Sequence, residues 1–100
     1  MSEGFILEFD GLGKDQYEAV NGRLGIDPVS GQGNWPAGML SHFGGAKPGG
    51  WVVFEVWDSK ESQEQFMSER LGKALQESGV TSPPARMEWF DQAGYSTPGS

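Results

Sequence analysis

One hundred residues make a single domain with room for a modest core. A formal net charge of −7 argues against nucleic acid or an anionic membrane surface as a partner, because both need clustered Lys and Arg. The chain has no cysteine, which excludes disulfides, thiolate metal sites and Cys nucleophiles and fits a reducing compartment.

The first residues, MSEGFILEFDG, lack a basic leader, and their apolar run is too short for a signal peptide or a membrane span. The expected location is therefore the cytoplasm. Phe5 to Phe9 predicts a first strand, with Phe5, Leu7 and Phe9 on one face and Ile6 and Glu8 on the other. Gly11, Leu12 and Gly13 break it. Lys14 to Leu24 predicts a helix whose apolar stripe is Tyr17, Val20 and Leu24, ended by Gly25. Gly25 to Pro36 reads as a twelve-residue loop with Trp35 at its far end, either a functional loop or a connector that uses Trp35 as a plug. Met39 to Phe43 predicts a second strand, and Gly44 to Gly50 a turn, so the second and third strands form a hairpin.

The third strand, Trp51 to Trp57, organises the rest. Its side chains are aromatic or β-branched except Glu55, as in a central strand covered on both faces. A helix follows at once, with Asp58 as its N-cap and Glu61 completing a capping box. Phe66, Met67, Leu71, Ala74 and Leu75 form its apolar face, Glu69 and Lys73 can pair on the wet side, and Gly79 ends it. Gly72 inside this helix weakens it by about 1 kcal/mol relative to Ala, which calls for a close neighbour. Ala85 to Phe90 is the fourth strand, and the tail from about residue 94 to residue 100 is expected to be loose.

The order β-α-β-β-α-β predicts an α+β, ferredoxin-like protomer with a four-stranded antiparallel sheet. Two helices cover only one face of such a sheet. The other apolar face needs a partner, and a second copy, sheet against sheet, gives a homodimer.

Three segments carry a family resemblance: YEAVNGRLG (Tyr17 to Gly25), WPAGMLSH (Trp35 to His42), and GGWVVFEVWDSKESQEQFMSERLGKAL (Gly49 to Leu75). Through them the chain resembles the dimeric α+β barrel superfamily, and within it the antibiotic-biosynthesis-monooxygenase-like (ABM) group, especially its small actinobacterial members. The resemblance implies an eight-stranded barrel across the dimer and a pocket between sheet and helices in each protomer. The superfamily spans cofactor-free oxygenases, polyketide cyclases, haem-degrading enzymes, dehalogenating and lactone-isomerising enzymes, and plain binding proteins. The haem-degrading relatives typically carry an Asn on the first strand, and FILEF has none.

His42, the single histidine, is the candidate general base or a structural strand-end histidine, and Glu55 orients it if the hairpin register places them side by side. Tyr17, Trp35, Trp57, Arg86 and Trp89 are candidates for binding a small hydrophobic or aromatic ligand, with Trp35 and Trp57 favoured because each ends an element. An inward Arg86 could hold a phenolate or carboxylate, while Phe66 belongs to the core. The chain lacks a P-loop, a dinucleotide fingerprint, a GxSxG elbow and any His pair or carboxylate cluster at metal spacing, so neither metal nor cofactor is expected. The function expected is a cofactor-independent monooxygenase or cyclase acting on an aromatic or polyketide-like small molecule. The competing expectation is a non-catalytic binding or structural homodimer.

Overall fold

The computed structural model describes residues 2–94, Ser96 and Pro98. Of the tail expected to be loose, residues 95, 97, 99 and 100 lie outside the described residues. The elements are β1 (Glu3–Asp10), α1 (Lys14–Leu24), β2 (Ile26–Asp27), β3 (Gln32–Gly33), β4 (Met39–Lys47), β5 (Gly50–Trp57), α2 (Lys60–Phe66), a π-helical turn (Met67–Leu71), α3 (Gly72–Glu77) and β6 (Arg86–Asp91). β4, β5, β1 and β6 form the main sheet in that order, and every neighbouring pair is antiparallel. This is the expected α+β, ferredoxin-like arrangement.

Strand alternation divides the sheet. Phe5, Leu7 and Phe9 of β1 and Trp51, Val53 and Trp57 of β5 are buried on the helix side with Val20, Leu24, Phe66, Leu71 and Ala74. Phe43, Phe54 and Phe90 project from the other face and stay substantially exposed. The dense apolar run of β5 therefore has one covered face in the chain itself, where its composition suggested two. Phe43 pairs with Phe54 across the β4–β5 ladder, and the Phe54 and Phe90 rings lie 6.4 Å apart. Glu8, Lys47, Arg86 and Glu88 form a charged end of the same face through the Lys47–Glu8, Arg86–Glu8 and Arg86–Glu88 ion pairs. Arg86 accordingly points away from the helices and holds the Glu8 carboxyl below its usual range.

Several local expectations change. The Gly25–Pro36 segment is not a bare loop, because Ile26 and Asp27 pair with Gly33 and Gln32 in a small hairpin. β4 runs on through the first glycines of the expected turn to Lys47. Ser59, not Asp58, caps α2 by accepting a hydrogen bond from the Ser62 amide, while Asp58 accepts from the Ser62 hydroxyl. Glu69 is approached by Gln65. The close neighbour of Gly72 is its own helix: its amide donates to the Met67 carbonyl, and a Cβ on Gly72 would sit 3.0 Å from that oxygen. A side chain at this point would crowd that carbonyl unless the turn gave way by a few tenths of an ångström. Arg70 then donates to the carbonyls of Leu24 (2.9 Å) and Asn34 (2.7 Å), tying the small hairpin to the second helical stretch.

Candidate functional site

β4 and β5 put His42 directly opposite Glu55 on the helix side of the sheet. Both side chains are almost fully buried, and His42 Nδ1 lies 3.4 Å from Glu55 Oε2. The second carboxylate oxygen of Glu55 accepts a 2.9 Å hydrogen bond from Trp57 Nε1, two residues along the same strand face. An uncompensated buried carboxylate is costly; the indole donor satisfies one Glu55 oxygen, while His42 Nδ1 faces the other at 3.4 Å without closing a hydrogen bond. On its far edge His42 Nε2 meets the Tyr17 hydroxyl at 2.6 Å. With Glu55 facing Nδ1, the tautomer that protonates Nδ1 leaves Nε2 to accept from Tyr17. The result is a continuous line Tyr17–His42–Glu55–Trp57 from α1 across β4 to β5.

Gly44 makes room for this line. A Cβ at Gly44 would collide with the hydroxyl end of the Tyr17 ring. The Tyr17 ring also packs against Trp51, with centroids 5.0 Å apart, and Trp35 lies 5.3 Å from the His42 ring on the other side. Burial pushes the Tyr17 phenol above its ordinary value of 10.0, the neighbouring Asn21 amide pulls it back, and the Glu55 charge adds a further upward push. Tyr17 is thus a proton-bearing donor at neutral pH.

His42 stands where three spaces meet. Inward, between sheet and helices, lies a small cavity of about 50 Å³. Outward, beside α1, a solvent-open groove of about 470 Å³ is bordered by Tyr17, Asn21, Ile26, Pro28, His42 and Trp51. On the Trp35 side a second open hollow of about 400 Å³ is bordered by Pro28, Trp35, Met39 and His42. The interior space is too small for an organic ligand, whereas the two hollows fall within the range of small-molecule sites. Among the described residues, no group of three or more His, Asp or Glu side chains is placed to hold a metal ion.

Solved structures share this architecture. A protein named only provisionally as an antibiotic biosynthesis monooxygenase, from Chloroflexus aurantiacus J-10-fl, superposes with a TM-score of 0.62 at 20% identity, over 96% of this chain and 98% of its own. Rv0793 from Mycobacterium tuberculosis gives 0.63 at 17% identity, over 97% and 100%. A variant of SnoaB, a cofactor-independent oxygenase from Streptomyces nogalater, gives 0.59 at 12% identity, over 94% and 95%. The chain has the ABM-like fold. No family profile matches the sequence, and no curated protein does.

Within this fold the residues singled out from sequence separate. Tyr17, Trp35 and His42 converge on the two open hollows. Trp57 is completely buried and donates to Glu55, so it faces neither hollow. Trp89 stacks on Phe5 at 4.2 Å with Lys60 over its ring, apart from His42. Arg86 lies on the opposite face of the sheet, because residue 86 pairs with Glu8, whose side chain points outward. Two residues escaped the sequence reading. Asn21 follows Tyr17 by four positions on the apolar stripe of α1, and a polar residue on a buried stripe was the available signal. Trp51 read as ordinary core, yet its indole nitrogen is buried without a partner.

Proposed function

We propose that this ABM-like chain is a cofactor-independent monooxygenase of small electron-rich phenols, with the Tyr17–His42–Glu55 line as its proton relay. The carrying observation is the 2.6 Å contact between Tyr17 and His42, backed by the buried Glu55 carboxylate at the edge of a groove of ligand size. A phenol bound in the groove gives its proton to the Tyr17 oxygen as the Tyr17 proton passes to His42 Nε2, and the Glu55 carboxylate offsets the imidazolium charge that forms. The electron-rich phenolate then transfers an electron to dioxygen. The two radicals combine at a ring carbon bearing hydrogen, and loss of water leaves a quinone. The sum is a phenol plus O2 giving a quinone plus water, with no external reductant.

The phenylalanine-rich outer face of the sheet supports a second part of this reading, a homodimer. Phe43, Phe54 and Phe90 offer a second copy an apolar surface, and the paired charges beside it supply a polar rim.

The test is oxygen uptake with para-unsubstituted naphthols and anthrones, in air and under argon. Quinone formation that needs air and disappears in His42→Ala supports the oxygenase. Product that forms equally under argon indicates a cyclase instead. A ligand that binds and is recovered unchanged in air indicates a binding protein.

A further inference from the structure

The two open hollows beside His42 have only two bordering residues in common, His42 itself and Pro28. Ile26, Asp27 and Val29 border the hollow beside α1, whereas Gly31 borders the one beside Trp35. The β2–β3 hairpin therefore stands between the hollows as a divider, and Pro28, the first residue after β2, is the part of it that both touch. Hydrogen bonds brace this turn. The Asp27 carboxylate accepts from the Val29 amide and the Ser30 hydroxyl, both at 2.9 Å, and the Gly31 amide donates to the Asp27 carbonyl at 2.8 Å. The Trp35 indole donates to the Gly31 carbonyl at 3.1 Å, and the Asn34 amide closes the base of the hairpin on the Gly25 carbonyl at 2.7 Å. The proline ring fixes its own φ and has no long side chain to fold aside. Trp35, its N–H engaged by Gly31, gives its hollow an aromatic surface and no free donor.

We propose that Pro28 determines the shape of the substrate: it confines the phenol to the α1 hollow and rejects phenols that carry a bulky group next to the hydroxyl. Tyr17 borders the α1 hollow and not the Trp35 hollow, so a phenol that reaches the proton relay lies on the α1 side of the divider. Its hydroxyl then sits beside Tyr17 and His42. The ring carbon next to that hydroxyl, on the His42 side, faces Pro28. A substituent there has one place to go, the Trp35 hollow of about 400 Å³, and the braced hairpin stands in the way. Steric discrimination of this kind is worth about 10–200-fold even for a single methylene. The inference rests on the phenol oxygenase reading for the ligand that enters, whereas the division of the space does not depend on turnover.

The test compares a para-unsubstituted naphthol with the same naphthol carrying a phenyl group ortho to its hydroxyl. Dissociation constants are measured under argon and kcat/KM for oxygen uptake in air, on the native chain, Pro28→Ala and Pro28→Gly. The native chain should prefer the parent naphthol by at least about tenfold on both scales. Pro28→Gly should narrow that preference by about tenfold, and Pro28→Ala by less, since it trims the ring but keeps a side chain at the divider. In Pro28→Gly the phenyl derivative should also quench tryptophan emission, and Trp35→Phe in that background should remove the quenching. A native chain that binds both compounds alike overturns the proposal, as does an unchanged preference in both folded variants. If the constants under argon shift as expected but neither compound supports oxygen uptake, the oxygenase reading fails and the role of Pro28 stands. If oxygen is consumed with an unaltered preference, only this inference fails. If neither compound binds, both fall.

Discussion

His42 and Glu55 face each other across the β4–β5 ladder, their side chains 3.4 Å apart and almost fully buried. A slip of one residue in that register would send one of them to the outer face. The aromatic residues along β5 resist such a slip, since Trp51 and Trp57 are buried on the helix side and a one-residue slip would turn them to the outer face. The apolar pattern thus fixes the position of the one polar pair among it.

His42→Ala is expected to reduce oxygen uptake by at least about 10²-fold, the usual scale for a lost general base. Glu55→Gln should cause a smaller fall in kcat with little change in phenol KM, because the amide keeps an acceptor for Trp57 but loses the charge facing His42. Steady-state oxygen consumption on both variants, with circular dichroism to confirm folding, decides the matter.

Tyr17 gives a pH dependence of known sign. Its folded-state pKa lies above the ordinary 10.0, chiefly through burial. The folded protein therefore binds more protons than the unfolded chain once pH exceeds about 10, and stability declines as pH rises through the raised native value. Below the unfolded pKa this contribution is constant. Urea unfolding across that alkaline window should show the decline in the native protein and less of it in Tyr17→Phe.

Gly44→Ala should act on Tyr17 at a distance in sequence. The added methyl overlaps the phenol end of the ring, so either Tyr17 leaves His42 or the strand shifts. Overpacking of this kind costs about 1–3 kcal/mol. Turnover should drop toward that of Tyr17→Phe, with thermal unfolding lowered as well. Wild-type turnover in a folded Gly44→Ala would show that the Tyr17–His42 contact is dispensable.

Phe54→Asp should separate the proposed dimer. A buried Phe contributes about 1.5–3 kcal/mol, so losing one from each copy weakens association by on the order of 10²-fold or more. Sedimentation of the native chain and the variant at micromolar concentration checks this. A native chain that sediments as a folded single subunit would remove the sheet-to-sheet pairing.

The fold was legible because its signals are periodic. The alternation of Phe5, Leu7 and Phe9 and the 3.6-residue stripe of Tyr17, Val20 and Leu24 each identify an element and its buried face. The site was legible only in part. His42 and Tyr17 stood out by type, but Glu55 needed the hairpin register, which sequence does not fix. Arg86 could clamp a ligand only if it faced inward, and its face depends on pairing with Glu8 across the sheet, which sequence does not fix either. The small hairpin after α1 hid behind glycine and proline, since two-residue strands carry too little pattern to be seen.

The wide turn at Met67–Leu71 amounts to one surplus residue in an otherwise continuous helix. Each α-helical residue advances the spiral by about 100°. Excising one residue there would regularise the hydrogen bonding but turn everything beyond it, so that Ala74 and Leu75 would swing away from the interior and a hydrophilic neighbour would take their place. The irregularity therefore keeps the last two turns in phase with the sheet, and a shortened chain would be expected to open the interior cavity to solvent.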